Sequence, residues 1–331
     1  MIKIILALVV SLSLSACSKT EEREVGEWTP YPGNPVINAD EGEWLSTFAS
    51  ALYADNQYHM YYLYDGATNK YEIGHATSSD GKNWSKDDAN NPVMTASEPW
   101  EGGGVAVPMV WKEGETWYML YRGHDPDVGS DATGLATSSD GINWVKEPSN
   151  PVLEGEAGKW DENGAEIWGV IKVGSVYYTY YEANIKGTGE RAIGVATSTD
   201  LVTWEKDQYN PVLTRGRFCP FAIKRKDYYY LLVPHYTSGT DYVEIELYRD
   251  KNPTFYPLDR EFMRVIKSCS TEGWDSHDQD TPCVLTDNIY RDSYSDANNE
   301  LWMYYSGESN GIWQEGMTIE NDIDFALIAT P

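Results

Sequence analysis

The sequence predicts an all-β protein with the architecture of a five-bladed β-propeller. A nine-residue segment, Ala136 to Trp144, occurs three times with little change, and its copies begin 60 residues apart at Ala76, Ala136 and Ala196. A fixed period of this size indicates one supersecondary unit that is repeated in space. The chain also carries 13 Trp and 25 Tyr at a mean hydropathy of −0.52, which is typical of aromatic side chains on half-buried sheets.

Each repeat contains four predicted strands. In the second repeat, the first three cover residues 105–111, 117–121 and 134–138, and the fourth lies near Trp144 after an Asp-Gly turn. Four short strands that are bounded by turn residues predict a four-stranded antiparallel sheet. Such a sheet cannot bury both of its faces alone, so several sheets must stack around an axis, as they do in a propeller.

The number of blades and the closure of the ring also follow from the repeat. Five aromatic segments mark the second strand of each unit: Met60 to Tyr64, Trp117 to Tyr121, Tyr177 to Tyr181, Tyr228 to Val233 and Trp302 to Tyr305. Trp28 precedes Asn34 by the same spacing that separates Trp144 from Asn150, but no Ala-Thr-Ser strand comes before it. Residues 328–331 resemble an Ala-Thr-Ser strand without an outer neighbour. We therefore expect the N-terminal segment to add the outermost strand of the last blade and to cover its edge.

The N-terminus predicts export and lipid anchoring. Residues 1–16 have a positive charge, an apolar run and small residues at the end, which is the pattern of a secretory signal peptide. Their last residues, together with Cys17, resemble a bacterial lipobox, in which the Cys is acylated and becomes the N-terminus. Residues 17–27 would then be a tether and residues 28–331 one propeller domain. Because Ser18 is not Asp, an outer-membrane destination in the cell envelope is favoured, and the membrane is contacted only through the anchor at Cys17.

The charge of the chain excludes nucleic acid as a partner. The formal net charge is −27, from 25 Lys and Arg against 52 Asp and Glu. Binding to nucleic acid or to anionic lipid headgroups requires cations that neutralise phosphates. The charge therefore favours a neutral or cationic partner, and it also keeps an exported protein soluble.

Three cysteines remain after Cys17, so at most one disulfide can form. Cys219 with Cys283 and Cys269 with Cys283 are both allowed pairs, and buried thiols are a third possibility. No Cys and His cluster has the spacing of a zinc site, and no metal site is predicted from ligand spacing.

Candidate functional residues lie where the innermost strands begin. Antiparallel strand order places these starts, and the loops after the aromatic strands, on one face of the ring, where a funnel opens. Alignment on Pro108 puts an equivalent residue in each blade: Phe48, Ala106, Glu166, Phe218 and Asp280. Two of these five axial positions carry a carboxylate, Glu166 in blade three and Asp280 in blade five.

The signal peptide, the five blades and the repeated Ala-Thr-Ser-Ser-Asp-Gly-x-Asn-Trp with Asn-Pro-Val resemble the five-bladed glycosidase superfamily that contains glycoside hydrolase families 43, 32, 68, 117 and 130. The resemblance covers essentially all of the mature chain. It implies an enzyme of the family 43 type that hydrolyses oligo- or polysaccharides at the cell envelope. Family 43 enzymes carry an Asp base on blade one, an Asp that tunes the acid on blade two and a Glu acid on blade three. Glu166 matches the acid, whereas residues 45–50 and 102–107 contain neither expected Asp.

Glycoside hydrolysis needs two carboxyl groups, so the sequence suggests Glu166 as the acid and Asp280 as the base. Asp125 and Glu182 are the leading substitutes for the second carboxylate. Trp168 beside Glu166 could raise the pKa of the acid by burial and offer a ring to sugars. The substrate-binding candidates of the funnel and its rim are Trp168, Asp65, Arg122, Asp125, Glu182, Arg217, His235 and His277.

Two alternatives remain open at the level of sequence. A propeller that has lost catalysis would bind glycans as a surface lipoprotein, which the two missing Asp residues favour. A phosphorylase like those of family 130 would need a cationic phosphate site, for which Arg122, Arg217 and His235 are available. No cofactor is required for any of these functions, although acidic residues around His277 make an axial calcium ion conceivable.

Overall fold

The computed structural model describes residues 29–38, 46–65, 70–125, 130–225, 227–236, 243–256, 260–268, 278–284, 301–309 and 312–320. Within these ranges almost all regular structure is β-strand, and Pro99–Glu101 forms a single 3-10 turn. No helix in this part of the chain is long and apolar enough to cross a membrane. The lipobox and the tether lie outside the described residues, so lipid anchoring at Cys17 stays a prediction.

Twenty strands make up the described fold. In chain order they are β1 (Thr29–Pro30), β2 (Ser46–Ala54), β3 (Gln57–Asp65), β4 (Tyr71–Ser78), β5 (Ser85–Lys86), β6 (Gly104–Glu113), β7 (Thr116–Asp125), β8 (Ser130–Ser138), β9 (Val145–Lys146), β10 (Glu166–Val173), β11 (Val176–Asn184), β12 (Arg191–Ser198), β13 (Glu205–Lys206), β14 (Phe221–Arg225), β15 (Tyr228–Tyr236), β16 (Val243–Asp250), β17 (Glu261–Ser268), β18 (Asp278–Val284), β19 (Leu301–Ser309) and β20 (Ile312–Glu320).

These strands form antiparallel units of four, which we name blades one to five: β2 to β5, β6 to β9, β10 to β13, β14 to β17, and β18 to β20 with β1. Blades one and two belong to one sheet because Tyr71 of β4 pairs in parallel with Gly104 of β6. The innermost strands β2, β6, β10, β14 and β18 contact one another in this order, and β18 contacts β2. The fold is therefore a β-propeller. The number of blades in the complete ring stays a prediction, since the described ranges have gaps.

The N-terminal segment closes the last blade, as predicted. Thr29 pairs with Ile319 and Pro30 with Thr318, so β1 is the outer neighbour of β20. The strand that receives it is Ile312–Glu320, whereas the sequence suggested residues 328–331, which lie outside the described residues. The difference arises because β20 lacks the Ala-Thr-Ser signature of the other third strands, so the pattern favoured a later segment.

The repeated motif forms a polar turn at the end of the third strand in blades one, two and three. In blade two, one carboxylate oxygen of Asp140 accepts hydrogen bonds from the backbone of Ile142 at 2.9 Å and of Asn143 at 2.8 Å, and the other accepts from the Asn143 side chain. Gly141 has φ 75°, a left-handed conformation that glycine adopts without strain. The Trp144 indole donates to the Gly141 carbonyl, which fixes the ring beside the turn.

The same turns connect neighbouring blades. The Tyr61 hydroxyl of blade one donates to the carbonyl of Gly141 in blade two at 2.9 Å, and Trp144 meets the Tyr61 ring edge-on at 5.8 Å. Blade five repeats this contact with blade one, where the Tyr304 hydroxyl donates to the Gly81 carbonyl at 2.6 Å. The repeated Trp and Gly residues therefore serve mainly to hold blades together, which explains why the motif reports the fold.

Candidate active site

The inner strands carry equivalent residues at one level of the axis, as the sequence alignment suggested. Glu166 pairs with Glu182, Ala106 with Arg122 and Asp280 with Ser306, and a β-bulge follows in each strand. In blade one the residue at this level is Thr47, which pairs with Leu63. Sequence alignment had chosen its neighbour Phe48, an error of one residue, because the bulge between Thr47 and Ser50 is invisible in the sequence.

Glu166 is the buried carboxyl group at the centre of this level. Only 6% of the residue is exposed, and Arg122 Nη1 donates to its Oε1 at 3.3 Å. Burial raises the pKa of Glu166 to about 8; Arg122 lowers it, while the negative charges of Asp131 and Glu182 raise it further. Glu166 therefore holds a proton at neutral pH, which a general acid must do.

Glu182 lies directly across from Glu166 on the neighbouring strand β11 and is also buried. The backbone N–H of Cys219 donates to its Oε2 at 2.9 Å, and Arg191 Nη1 lies 3.1 Å from its Oε1. Burial raises the pKa of Glu182, whereas Arg191 and the Cys219 hydrogen bond stabilise the ionised form. Since Glu182 has two donors for its charge, Glu166 is the member of the pair that keeps the proton.

Arg122 links Glu166 to a second acidic group. Its Nε lies 3.9 Å from Asp131 Oδ1, and the same oxygen lies 2.8 Å from His124 Nδ1. The guanidinium also lies over the ring of Tyr71, 5.8 Å from its centre. Arg122 is therefore fixed from several directions, so it can hold the carboxyl group of Glu166 in one position.

An aromatic pair borders the carboxylates on the blade-four side. Phe218 is buried and stacks on Tyr236 at 4.9 Å, and the guanidinium of Arg191 lies 5.0 Å from the Phe218 ring. Tyr236 is 45% exposed, so its ring is accessible at the mouth of the site. An exposed ring beside buried carboxyl groups is suited to a ligand with both apolar and hydroxyl surfaces.

The base of the site is apolar and closed. Trp168 is buried in a cluster with Ala106, Val107 and Phe218, so it does not offer an open face to a ligand, in contrast to the sequence-based prediction. The cavity between Trp168, Pro108 and Pro282 measures only ≈10 Å³, about the space of one water molecule.

Arg217 and His235 were predicted to reach the funnel, but they belong to a separate cluster in blade four. Arg217 Nε donates to Glu246 Oε2 and to the Tyr248 hydroxyl, both at 2.8 Å. His235 Nδ1 lies 3.6 Å from the other oxygen of the same carboxylate. Two of the three side chains suggested for a phosphate site therefore lie against the buried carboxylate of Glu246.

Four other predicted side chains lie outside the described part of the structure. For Asp65, Asp125 and Asp280 the backbone is described, at the ends of β3 and β7 and in β18, but the side chains are not. His277 lies outside the described residues, so the axial calcium ion stays a prediction. Among the described side chains, no group of three or more His, Cys, Asp or Glu is arranged to hold a metal ion.

Cys219 is buried as a thiol, so it does not pair with Cys283. The side chains of Cys269 and Cys283 lie beyond the described part of the chain. The possibility of a disulfide between those two residues stays open.

Sequence reasoning missed Asp131 and Arg191, which both contact the central groups. The repeat contained a signal that could have found them. Tyr71, Asp131 and Arg191 each lie five residues before the Ala of the Ala-Thr-Ser strand, at Ala76, Ala136 and Ala196. This position lies at the start of the third strand in blades one to three, next to the end of the second strand with which it pairs.

Residues 41–163 match the glycosyl hydrolases family 32 N-terminal domain. A protein of unassigned function from Mycobacterium tuberculosis, found in two strains, is 26% identical over 133 residues, which are 38% of this chain and 44% of that protein. The match thus spans less than half the length of these curated relatives.

Solved structures with the same fold include a provisionally assigned glycoside hydrolase from Parabacteroides distasonis, with a TM-score of 0.68 at 16% identity over 90% of this chain and 97% of that one. The family 117 glycoside hydrolase Zg3597 from the marine bacterium Zobellia galactanivorans has a TM-score of 0.62 at 15% identity, over 91% and 90% of the two chains. A third structure belongs to the GH130 family of mannoside phosphorylases, which contains glycoside hydrolases that target β-1,2 mannosidic linkages in Candida mannan. Its TM-score is 0.62 at 17% identity, over 89% of this chain and 94% of that one. The chain therefore has the β-propeller fold of glycoside hydrolases, and part of it resembles the N-terminal domain of glycosyl hydrolase family 32.

Proposed function

We propose that this protein is a glycoside hydrolase that acts on oligo- or polysaccharides, with Glu166 as the general acid. The observation that supports this proposal most directly is the burial of Glu166 on the propeller axis, with its pKa raised to about 8. A carboxylic acid that stays protonated at neutral pH can donate its proton to the oxygen of a leaving sugar. Fold likeness alone would not support an activity, because one fold carries many functions.

Asp280 is the proposed base. Its backbone occupies in blade five the register that Glu166 occupies in blade three, since Asp280 pairs with Ser306 as Glu166 pairs with Glu182. In the proposed reaction Asp280 takes a proton from water, the water oxygen bonds to the anomeric carbon, and the glycosidic C–O bond breaks as Glu166 protonates the leaving oxygen. This geometry requires roughly 6.5–9.5 Å between the two carboxyl groups.

Glu182 and Asp131 are proposed to replace the missing acid-tuning Asp of blade two. The expected position is Ala106, which carries no charge, yet the negative charges of both residues act on Glu166 and raise its pKa. The charges that raise the pKa of Glu166 therefore lie on the second strand of blade three and the third strand of blade two. Neither group needs to contact the substrate, so both are positioning residues.

The proposed reaction is tested by screening the purified protein against oligosaccharide libraries for released sugars. Glu166→Gln and Asp280→Asn should each abolish release, while Glu205→Gln, which changes an exposed carboxylate on β13, should leave it unchanged. If Glu166→Gln retains full activity, the assignment of the acid is incorrect. If Asp280→Asn releases sugar while Glu166→Gln does not, Asp280 is not the base, and Asp125 is then the next candidate.

Phosphorolysis is a second candidate because the described mouth contains Arg122, Arg191 and His124 close to the carboxyl groups. Inorganic phosphate could approach the two guanidinium groups in place of water. The two reactions differ in their product, since phosphorolysis yields a sugar phosphate. Omission of phosphate should leave the hydrolase fully active, and a requirement for phosphate would favour the phosphorylase.

We also propose that the protein is exported and anchored through an acylated Cys17 in the cell envelope, with the outer membrane as its destination. The support is the lipobox-like end of the signal segment and the residue Ser18 after it. Metabolic labelling with an alkyne fatty acid should mark the wild-type chain and not Cys17→Ala. Labelling of both proteins would contradict anchoring at Cys17.

A further inference from the structure

A second concave site lies in blade three, at the outer part of the same face as the mouth. It has a volume of ≈180 Å³. The lining combines one indole ring with carboxylate, amide and ammonium groups, from Glu156, Lys159, Trp160, Asp161, Tyr181, Lys206, Asp207, Gln208 and Asn210. The loop that supplies Trp160 and Asp161 runs directly into Glu166 at the start of β10.

The equivalent part of blade two contains the same kind of aromatic stack as the site in blade three. Trp100 stacks on Tyr121 at 5.9 Å, and a Cβ on Gly123 would lie 2.1 Å from its ring. In blade three the position of Gly123, two residues after the stacked Tyr, is occupied by Ala183. Trp160 nevertheless stacks on Tyr181 at 5.8 Å, as Trp100 stacks on Tyr121, so Tyr181 covers one face of the indole and the site lies beside this stack.

The floor of this site is a rigid polar network. Asp161 is 1% exposed, and its Oδ2 accepts hydrogen bonds from Lys206 Nζ at 2.5 Å and from the Tyr181 hydroxyl at 3.0 Å. Lys206 also donates to the Glu154 carbonyl at 2.6 Å. Because these groups are fixed before a ligand arrives, binding costs little ordering of the floor.

The rim adds aromatic and amide surface. Tyr209 is 60% exposed and meets Tyr256 edge-on at 5.2 Å. Asp207 accepts from the Tyr209 backbone at 2.8 Å and from the Tyr256 hydroxyl at 2.9 Å, which holds the rim together. Gln208 is exposed beside Asp207. Rings that can cover an apolar face, next to amide and carboxylate groups that can bond hydroxyls, have the chemistry that a sugar ring requires.

The charges in the site disfavour an anionic ligand. Lys206 is compensated by Asp161 at 2.5 Å, and Lys159 lies 3.8 Å from Glu156. Asp207 adds a further negative charge, so an anionic group would be repelled. We propose that this site binds a neutral sugar residue of a glycan chain, distant from the bond that is cleaved at Glu166. The site would retain a polysaccharide on the propeller face and does not depend on which reaction Glu166 performs.

The test uses the protein with Glu166→Gln, so that no probe is consumed, and with 5-fluorotryptophan in place of Trp. The 19F signal of Trp160 is assigned from its loss in Trp160→Phe. The probes are mannohexaose, cellohexaose and xylohexaose at up to about 10 mM, a range that detects weak single-site binding. We expect at least one hexasaccharide to shift the Trp160 signal in a saturable way.

Gln208→Ala should weaken that binding about fivefold, the effect of one lost hydrogen bond. Ser149→Ala changes the blade-two residue equivalent to Tyr209 and should have no effect. The proposal is overturned if none of the three probes shifts the Trp160 signal, or if Gln208→Ala binds as tightly as its parent. Since binding is measured without cleavage, its failure is distinguishable from a failure of the hydrolase proposal, which the sugar-release assay decides.

Discussion

Glu182→Gln offers the sharpest test of how the proposed acid is tuned. Residues that face each other across antiparallel strands have Cβ atoms about 5 Å apart, so we take about 6 Å between the two carboxyl groups. At an effective dielectric constant of about 20, a negative charge at that distance contributes about 2.8 kcal/mol, or about two pKa units. Loss of Glu182 also leaves Arg191 without its carboxylate, which acts in the same direction. We expect the pKa of Glu166 to fall from about 8 toward about 6.

The assay is the 13C NMR titration of the glutamate carboxyl carbons, with the Glu166 signal assigned from its absence in Glu166→Gln. Arg122→Gln should shift the pKa of Glu166 in the opposite direction, upward, because Arg122 stabilises the ionised form. Glu205→Gln is the matched control and should change nothing. Because the acid must be protonated to act, the alkaline limb of the pH–rate profile should move to lower pH in Glu182→Gln.

A wild-type Glu166 that titrates at its ordinary value would refute the burial argument. An unchanged pKa in Glu182→Gln would instead show that Glu182 is neutral at the relevant pH. The two results therefore separate the contribution of burial from that of the neighbouring charge.

Three further predictions concern stability. The pKa of Glu166 is higher in the folded than in the unfolded state, so the stability of the wild type falls as pH rises from about 4.5 through 8. Between about pH 5 and pH 8, Glu166→Gln should therefore gain about 2 to 4 kcal/mol in unfolding free energy relative to wild type, as measured by urea unfolding. An equal difference between the two proteins at both pH values would contradict this. Burial lowers the pKa of His59 to about 4, so the stability that the neutral ring contributes is complete above the unfolded pKa of 6.5 and is lost as pH falls through 4. The wild type should lose stability between about pH 7.5 and pH 5, and this loss should be about 2 kcal/mol smaller in His59→Phe. Parallel pH profiles of the two proteins would argue against a neutral buried His59. Asp140→Ala removes the acceptor of the blade-two turn and should cost about 1–2 kcal/mol by chemical denaturation, whereas a cost near zero would mean that the turn holds its shape without the carboxylate.

The closure of the ring shows what periodicity can predict. The spacing from Trp28 to Asn34 identified an outer strand without a third strand before it, and β1 does pair with β20. The third strand itself was missed because Ile312–Glu320 carries no repeated residues, although it pairs fully along β19. A hydrogen-bonded ladder needs only backbone groups, so a strand can form without the signature of its relatives.

The candidate site shows which residues the repeat pattern of the sequence could predict and which it could not. Glu166 could be aligned because it lies 60 residues after Ala106, which is the period of the repeat, and its pairing with Glu182 follows from the hairpin. The residues that surround the carboxyl group of Glu166 could not be found by alignment. Arg122 comes from blade two, Arg191 from the third strand of blade three, and the Cys219 N–H from blade four.

The sequence by itself determined the repeating sheets, their order and the level of the axial residues, because these depend on local periodicity and on turns within each unit. Tertiary structure decided which cation meets which carboxylate: Arg122 turns to Glu166, while Arg217 is held by Glu246. It also decided that Trp168 is buried and offers no open face to a ligand. The reason is that contacts between blades depend on the curvature of the ring and on competition for each charge, and neither is encoded within a single repeat.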